Sequence, residues 1–231
     1  MTATIPINLA VEDALTEHVL RVVLKTTALP YSVDAVYCKG GFTYLRQKIL
    51  AFNQAARIKP YLLVTDLDNG ECPPDLIENW FGCKLADYPS RKHPNLLFCV
   101  AVREIESWLL ADRAGFARFL GISIDLVPSH PEQIVDPKRT ITQLARRCRY
   151  RRTREDIVPD EGSIWPTGPG YTERLASFIN EGWNVETACR FSPSLQRAFA
   201  LLKDFSPGQQ AGAPICVITQ LSNRLTKKRG R

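Results

Sequence analysis

The sequence predicts an α/β fold in which a mostly parallel sheet is flanked by helices and followed by a helical C-terminal extension. Two observations predict this class. Short apolar runs alternate with helix-like segments through the first half of the chain, which is typical of parallel sheets covered by helices on both faces. The second half is punctuated by prolines, and its periodic segments have helical spacing. We therefore expect an α/β core over residues 1–122 and a basic, helical extension packed on it over 123–231.

The first half is predicted to contain four strands, each followed by a helix. The strands are the short apolar runs at 5–11, 32–37, 61–65 and 96–102. The helices are expected at 15–25, 42–57, 73–80 and 105–120, the last with a break near Asp112. Gly40-Gly41 interrupts the chain before the second helix, and Pro73-Pro74 suits the first turn of the third.

Helices dominate the prediction for the second half. One is expected over 137–150, with its apolar residues inward and its arginines outward. A second is expected over 171–180, and a third begins after Ser192, which would cap it, with Pro193 at its first position. A late apolar run at 215–218 either ends a helix or adds an edge strand.

Acidic residues gather where two of the predicted strands end. Glu12 and Asp13 follow the first strand, and Asp66-Leu67-Asp68 follows the third. The carboxyl ends of parallel strands are where open α/β sheets place their sites. Carboxylates held close together cannot all stay ionised unless a cation joins them, and Mg²⁺ prefers such oxygen ligands. The sequence therefore predicts a Mg²⁺-type site that acts on phosphate chemistry.

The D-x-D segment has two interpretations. In an extended strand, Asp66 and Asp68 would point to the same side and could face one ion, while Leu67 would point into the core. Alternatively, Asp68-Asn69-Gly70 is turn chemistry and Asp66 caps the following segment. Glu12 likewise either joins the site or is an acidic residue favoured near the start of a helix.

A third acidic segment follows the fourth predicted strand. Glu104 and Glu106 would share a face if the strand continues, and they would diverge if a helix has begun. Either residue could bind metal, support a ligand or act as a general base, with Arg103 contacting phosphate. The alternative is a pair of surface acids flanking a buried Trp108.

Positive charge is concentrated in two segments of a chain whose net charge is +6. The first runs from Lys138 to Arg154 without an acidic residue, and the second lies at 224–231. Such segments supply sequence-independent affinity for nucleic acid, although a solvated basic face is the alternative, and about the last six residues are expected to form a disordered tail. Tyr150, Trp165 and Tyr171 either stack on bases or pack in the core. The predicted nucleic-acid-binding residues are Lys138, Arg139, Arg146, Arg147, Arg149, Arg151 and Arg152.

The remaining composition indicates a cytoplasmic protein. Seven cysteines are scattered without a C-x-x-C pair, which favours reduced thiols over a disulfide framework or a zinc site. No apolar stretch reaches the roughly 18 residues that a membrane span needs. A secretory signal pattern is absent as well.

These segments resemble the Toprim-like family, in particular small stand-alone proteins related to the Toprim domain of overcoming-lysogenization-defect (OLD) nucleases. The segment at 11–17 (VEDALTE) is similar to that group's V-E-G-x-T-E opening, with one inserted residue. Asp66-Leu67-Asp68 looks like its D-x-D, and 103–112 looks like its R-E-x-E-x-W-L-x-A-D segment. Further segments at 131–138, 168–171 and 191–195 also look like parts of these proteins.

The resemblance implies a Toprim fold and metal-dependent cleavage of a phosphodiester in DNA or RNA. It implies that Glu12, Asp66 and Asp68 hold Mg²⁺ or Mn²⁺. It also implies a role in antiphage defence beside an ABC-type ATPase partner, with the assembly open between a monomer and a homodimer. Asp13 departs from the family's glycine, so it is either an added ligand or the mark of a weakened site.

Two alternatives from other functional classes remain. The first is a non-catalytic subunit whose acidic cleft and basic surfaces only bind metal and nucleic acid. The second is a receiver-type signalling domain, which also has acids after strand one and an aspartate after strand three. A receiver is expected to have Ser or Thr after strand four, where this chain has Arg103-Glu104.

Overall fold

A parallel sheet forms the centre of the molecule. The computed structural model describes residues 4–68 and 72–207. The strands are β1 (Ile5–Ala10), β2 (Tyr31–Tyr37), β3 (Tyr61–Asp66) and β4 (Leu96–Ala101). All pair in parallel, in the order β2-β1-β3-β4. The predicted fold class is therefore confirmed, and each of the four strands begins and ends within one residue of its predicted bounds.

The first half also contains the expected helices. They are α1 (Ala14–Thr26), α2 (Gly41–Ala55), α3 (Pro73–Phe81), α4 (Tyr88–Arg91), α5 (Glu106–Ala111) and α6 (Arg113–Leu120). The break at Asp112 is confirmed, whereas the short α4 was not predicted. The side chain of Asp13 accepts a hydrogen bond of 2.8 Å from the Thr16 amide and so caps α1.

The second half is helical, with bounds that partly differ from the prediction. It contains α7 (Pro137–Ala145), α8 (Arg151–Ile157), α9 (Tyr171–Glu181), α10 (Val185–Cys189) and α11 (Pro193–Lys203). The Ser192 cap is confirmed, since its Oγ accepts from the Leu195 amide at 3.3 Å. The late apolar run at 215–218 and the basic segment at 224–231 lie outside the described residues. The helices within residues 4–68 and 72–207 are all too short or too polar to span a bilayer.

The predicted helix over 137–150 is wrong in its second part. The helix ends at Ala145, and Tyr150 has the extended backbone angles φ −93° and ψ 113°. The Arg149 amide donates to the carbonyl oxygen of Leu120 at 2.9 Å, at the end of α6. This long-range bond turns the chain, so helical periodicity alone could not indicate where α7 stops.

Apolar layers cover both faces of the sheet. Along β3, Tyr61 and Leu63 face a layer formed by α2, α3 and α4, while Leu62 and Val64 face the other side. That other layer is larger, and it combines α1, α5 and α6 with the helices of the second half around the fully buried Trp108. Residues on both sides of position 122 therefore contribute to one continuous core.

Candidate active site

The order of the strands creates a crevice between β1 and β3. From β1 the chain moves to β2 on one side and then crosses to β3 on the other. In open α/β sheets, ligands bind outside the carboxyl ends of strands at such a reversal. Glu12 follows β1 after one intervening residue, Val11, and Asp66 is the last residue of β3. The two carboxylates therefore lie at the position where this architecture places a site.

Glu12 connects the ends of these strands. Its Oε1 accepts hydrogen bonds from the Thr65 hydroxyl at 2.5 Å and from the Asp66 amide at 2.9 Å. Burial raises the pKa of the Glu12 carboxyl, and the charges of Asp68 and Asp13 raise it further, against the effect of the two hydrogen bonds. The side chain is thus held in place while its charge is only partly compensated.

The D-x-D segment leaves the strand before its second aspartate. Leu67 is buried as predicted, and its amide donates to the Ala101 carbonyl at 2.9 Å. Asp68, by contrast, has a left-handed backbone with φ +49° and lies exposed. The expectation that an extended strand aligns Asp66 with Asp68 is therefore wrong, because β3 ends at Asp66.

Asp68 is instead held opposite another left-handed residue. Its amide donates to the carbonyl oxygen of Arg103 at 2.8 Å, and Arg103 has φ +69°. Residues other than glycine rarely adopt this region, and those that do are concentrated at functional sites. The loops after β3 and β4 are therefore fixed against one another beside the acidic crevice.

Five carboxyl groups influence one another at this edge of the sheet. We call them the carboxylate cluster: Glu12, Asp13, Asp66, Asp68 and Glu106. Burial raises the pKa of Asp66 well above its ordinary value, and the charges of the other four raise it further. Negative charge in the carboxylate cluster is therefore in excess, which is the electrostatic condition that favours a bound cation.

Glu104 and Glu106 diverge, because β4 ends at Ala101 and α5 begins at Glu106. Glu104 is half-buried, and its Oε2 accepts from the Lys138 backbone amide at 3.0 Å. Glu106 is only 1% exposed and accepts from the Tyr171 hydroxyl at 3.1 Å. Burial raises the pKa of Glu106 to about 7, with attraction to Lys138 opposing the shift. Of the two residues, Glu104 is the one with solvent access.

Lys138 belongs to the acidic site, although it was grouped with the nucleic-acid-binding residues in the sequence prediction. Its Nζ lies 3.6 Å from Glu106 Oε1, in the one ion pair that the described residues make to the carboxylate cluster. Burial opposes its charge, but attraction to Glu106 and Glu104 outweighs that effect and raises the pKa of Lys138. The helical extension thus contributes a cation to the crevice of the core.

The arginines predicted to bind nucleic acid lie at the surface. Those that are exposed are Arg139, Arg146, Arg147, Arg149, Arg151 and Arg152. Arg151 pairs with Glu155 at 2.8 Å, an exposed pair of adjacent helical turns. Apolar neighbours such as Ile141 and Cys148 are buried as predicted, so α7 and the segment after it present a basic side to solvent.

A hydrogen-bonded group behind β4 was missed by sequence reasoning. Ser194 Oγ accepts from Trp108 Nε1 at 2.7 Å and from the Val102 amide at 3.3 Å, and it donates to Glu132 Oε1 at 2.7 Å. Glu132 also accepts from the Ser192 hydroxyl at 2.6 Å. These bonds position the backbone next to Arg103.

Tyr171 was also missed as a partner of Glu106, since no local motif marks a contact 65 residues away.

The proposed metal ligands match a hard cation in chemical type but are not arranged around one. Within the described parts of the chain, no group of three or more His, Cys, Asp or Glu side chains has the arrangement that holds a metal ion. The donors of Glu12, Asp66 and Asp68 are all carboxylate oxygens, the ligands that Mg²⁺ and Mn²⁺ favour. Burial is the main cause of the raised pKa values of Glu12 and Asp66, and neighbouring carboxylates raise them further; a divalent cation would relieve that repulsion.

The chain matches no protein-family model, no curated protein and no solved structure in the three comparisons made.

Proposed function

We propose that this protein is a Mg²⁺- or Mn²⁺-dependent nuclease of the Toprim type, which cleaves phosphodiester bonds in nucleic acid. The observation that carries the proposal is the carboxylate cluster at the reversal between β1 and β3, where burial and then like charges raise the pKa of Asp66. The basic surface of the extension supports it, because a polyanionic substrate would bind there.

Glu12, Asp66 and Asp68 would hold the ion after their side chains turn towards one another, because in this structure the three carboxylates are not arranged around a cation. When bound, a divalent cation supplies polarisation of a phosphate oxygen and a lowered pKa for an attacking water. Glu104 has solvent access, so its carboxylate would be the group that accepts a proton at the site. The buried Glu106 would act through Lys138, holding the ammonium group beside the crevice.

The biological setting is proposed on the resemblance alone. The protein would work in the cytoplasm as the effector of an antiphage defence system, together with an ABC-type ATPase. An ATPase reading frame next to this one would support that setting, and copurification of the two proteins would test it.

The cleavage test uses the full chain with plasmid, single-stranded DNA and transfer RNA, in Mg²⁺, Mn²⁺ or chelator. Asp66→Asn is expected to abolish cleavage and to weaken Mn²⁺ binding in calorimetry, because asparagine has nearly the same size as aspartate but carries no negative charge. Asp160→Asn is the matched control, since Asp160 is an exposed carboxylate outside the carboxylate cluster. Unchanged cleavage by Asp66→Asn would assign the activity to another site or to a contaminant.

A non-catalytic role predicts a different result in the same assay. The wild-type chain would then bind Mn²⁺ and nucleic acid without producing cleavage in any metal. Asp66→Asn would still weaken Mn²⁺ binding, so only the presence or absence of cleavage distinguishes the nuclease from the non-catalytic subunit.

A receiver-type function has one structural observation in its favour. The order β2-β1-β3-β4 is that of the first four strands in flavodoxin-like sheets, with Asp66 at the end of β3. Residues Arg103 and Glu104 after β4 depart from the receiver pattern. Incubation with acetyl phosphate and mass spectrometry decides the matter: a phosphoryl group on Asp66 supports a receiver, and an unmodified Asp66 supports the nuclease.

A further inference from the structure

The segment between α7 and α8 concentrates positive charge at the surface. We call residues 146–152 the arginine turn. Its exposed arginines are Arg146, Arg147, Arg149, Arg151 and Arg152, while Cys148 is buried and anchors the segment. Within the described residues, an ion pair is formed by Arg151 alone among these five. The arginine turn therefore carries uncompensated charge that suits a polyanion.

An aromatic ring is seated in the middle of this charge. Tyr150 is 50% exposed and lies between Arg149 and Arg151. A methyl group added to Gly121 would lie 3.1 Å from a ring carbon of Tyr150, so the ring rests against the end of α6. The bond from the Arg149 amide to the Leu120 carbonyl, at 2.9 Å, holds the adjacent backbone there. The ring is thus positioned before any ligand arrives, which lowers the entropy lost on binding.

The other aromatic residues considered for base stacking differ from Tyr150. Tyr171 is 6% exposed and donates its hydroxyl to Glu106, so it belongs to the core. Trp165 is 71% exposed, but it lies in the segment between α8 and α9, outside the arginine turn. Tyr150 alone among these three combines exposure with flanking arginines.

The arginine turn is joined to the carboxylate cluster by one short helix. Lys138 at the start of α7 contacts Glu106, and the arginine turn begins directly after Ala145 at its end. The nine residues of α7 span about 13 Å at 1.5 Å per residue. A strand with about 3.4 Å per nucleotide would cover that length in roughly four nucleotides.

We propose that the arginine turn binds single-stranded nucleic acid, with an unpaired base stacked on Tyr150. In a duplex the base faces are covered by neighbouring base pairs, whereas single strands offer them to aromatic side chains. The arginines contact phosphates and add affinity without sequence preference. This inference rests on the proposed function, because it names the form of nucleic acid that would reach the carboxylate cluster.

The test measures binding separately from cleavage. Fluorescence anisotropy in chelator follows labelled single-stranded DNA, single-stranded RNA and duplex DNA of roughly 12 nucleotides, within the usual site sizes for single-strand grooves. Tyr150→Ala is expected to weaken single-strand binding about fivefold to 100-fold, the range for loss of one stacked base. Tyr150→Phe, which keeps the ring, is expected to bind as the wild type does. The DNA and RNA arms identify which strand the surface prefers.

Two further sets of variants distinguish stacking from charge. Arg147→Ala combined with Arg149→Ala is expected to weaken all strands and to reduce the salt slope by about 2. Trp165→Ala and Arg46→Ala are the controls: the first removes an exposed aromatic outside the arginine turn, and the second removes an exposed arginine of α2, across the sheet. Both controls are expected to bind as the wild type does.

Three results would overturn the inference: Tyr150→Ala binding within about twofold of wild type, duplex binding as tight as single strand, or an equal loss in Trp165→Ala. If Tyr150→Ala melts at a lower temperature than wild type, Tyr150→Leu, which fills the space against Gly121 without a ring, replaces it. If single-strand binding depends on Tyr150 but no cleavage occurs, this inference stands and the nuclease proposal fails. If cleavage occurs at the same rate in wild type and Tyr150→Ala, the nuclease proposal stands and this inference fails.

Discussion

Glu106 is a buried carboxyl group whose ionisation is opposed by its surroundings. It is buried, and its pKa is raised to about 7 from the ordinary 4.5, first by burial and then by Glu104 against the attraction of Lys138. The folded protein therefore retains a proton that the unfolded chain releases above pH 4.5. By linkage, stability from this proton is complete below pH 4.5 and is lost as the pH rises towards 7.

Replacing Glu106 with glutamine should therefore stabilise the protein only at high pH. Glu106→Gln keeps an acceptor for the Tyr171 hydroxyl and removes the buried charge. We expect its free energy of unfolding to exceed that of wild type by about 1–3 kcal/mol at pH 8, and to be similar at pH 4. Urea denaturation at both pH values measures the difference.

The control for this prediction is Glu181→Gln, at an exposed carboxylate that ends α9. We expect it to change stability by less than about 0.5 kcal/mol at either pH. A Glu106→Gln protein that is less stable than wild type at pH 8 would show that the ion pair with Lys138 outweighs the burial of charge.

Sequence patterns located some of these residues because the signal is local. Glu12 and Asp66 could be predicted from the ends of apolar strands, since the carboxyl ends of adjacent parallel strands meet. Lys138 could not be assigned to the carboxylate cluster, because its sequence neighbours are basic and its partners lie 32 and 34 residues away. The left-handed turn at Asp68 was also hidden, because it depends on a bond to the Arg103 carbonyl.

At the scale of elements, Asp112 joins three helices. It is 2% exposed, its Oδ1 accepts from the Gly115 amide at 3.0 Å, and its Oδ2 accepts from the Asn184 amide at 2.9 Å. It thus caps α6 at the break after α5 and holds the turn before α10. Asp112 belongs to the acidic motif at 103–112, yet both of its carboxylate oxygens are engaged by backbone amides.

Asp112→Ala should therefore destabilise the fold. The substitution leaves the buried Gly115 amide without its acceptor, at about 1–3 kcal/mol, and the partly buried Asn184 amide without its acceptor, at about 1 kcal/mol, so we expect a loss of about 2–4 kcal/mol. Thermal and urea unfolding provide the measurement. Asp204→Ala, at an exposed aspartate after α11, should lie within about 0.5 kcal/mol of wild type. An Asp112→Ala protein of wild-type stability would point to a functional role for this carboxylate instead.

Ser194 connects α11 to the strand that ends beside the site. Ser194→Ala removes the acceptor of the buried Trp108 indole N–H, at a cost of about 1–3 kcal/mol. Ser177→Ala serves as the comparison, because Ser177 Oγ bonds only within α9, to the Glu173 carbonyl. Urea denaturation of the two variants should give a clear loss for Ser194→Ala alone. Equal stabilities would contradict the importance of this bond.

The helix boundaries at Asp112, Ser192 and the end of α7 show how far the helices could be predicted. The break at Asp112 and the cap at Ser192 are local chemistry, so the sequence indicated both. The end of α7 depends on the Leu120 carbonyl, which lies 29 residues from Arg149, and the periodicity of the segment continues past it. Local patterns therefore predict the first residue of these helices well, and they predict the last residue poorly where a tertiary contact determines it.

At the scale of the whole molecule, the extension completes the core. The layer around Trp108 includes Leu9 and Val19 from the first half, and Leu175 and Leu195 from the second. Lys138 adds the cation that the carboxylate cluster contacts. A chain ending at residue 122 would lack α9, which packs on α1, and α11, which packs on β4.

The whole chain should accordingly unfold as one cooperative unit. In urea, far-ultraviolet circular dichroism should report the helices of both halves, and tryptophan fluorescence should report Trp80 in one layer with Trp108 and Trp183 in the other. We expect the two probes to give the same midpoint, as a two-state transition requires. A fragment of residues 1–122 should give no cooperative transition, because it lacks the apolar partners of α1. Separated midpoints, or a fragment that unfolds cooperatively, would show that the core folds without its helical extension.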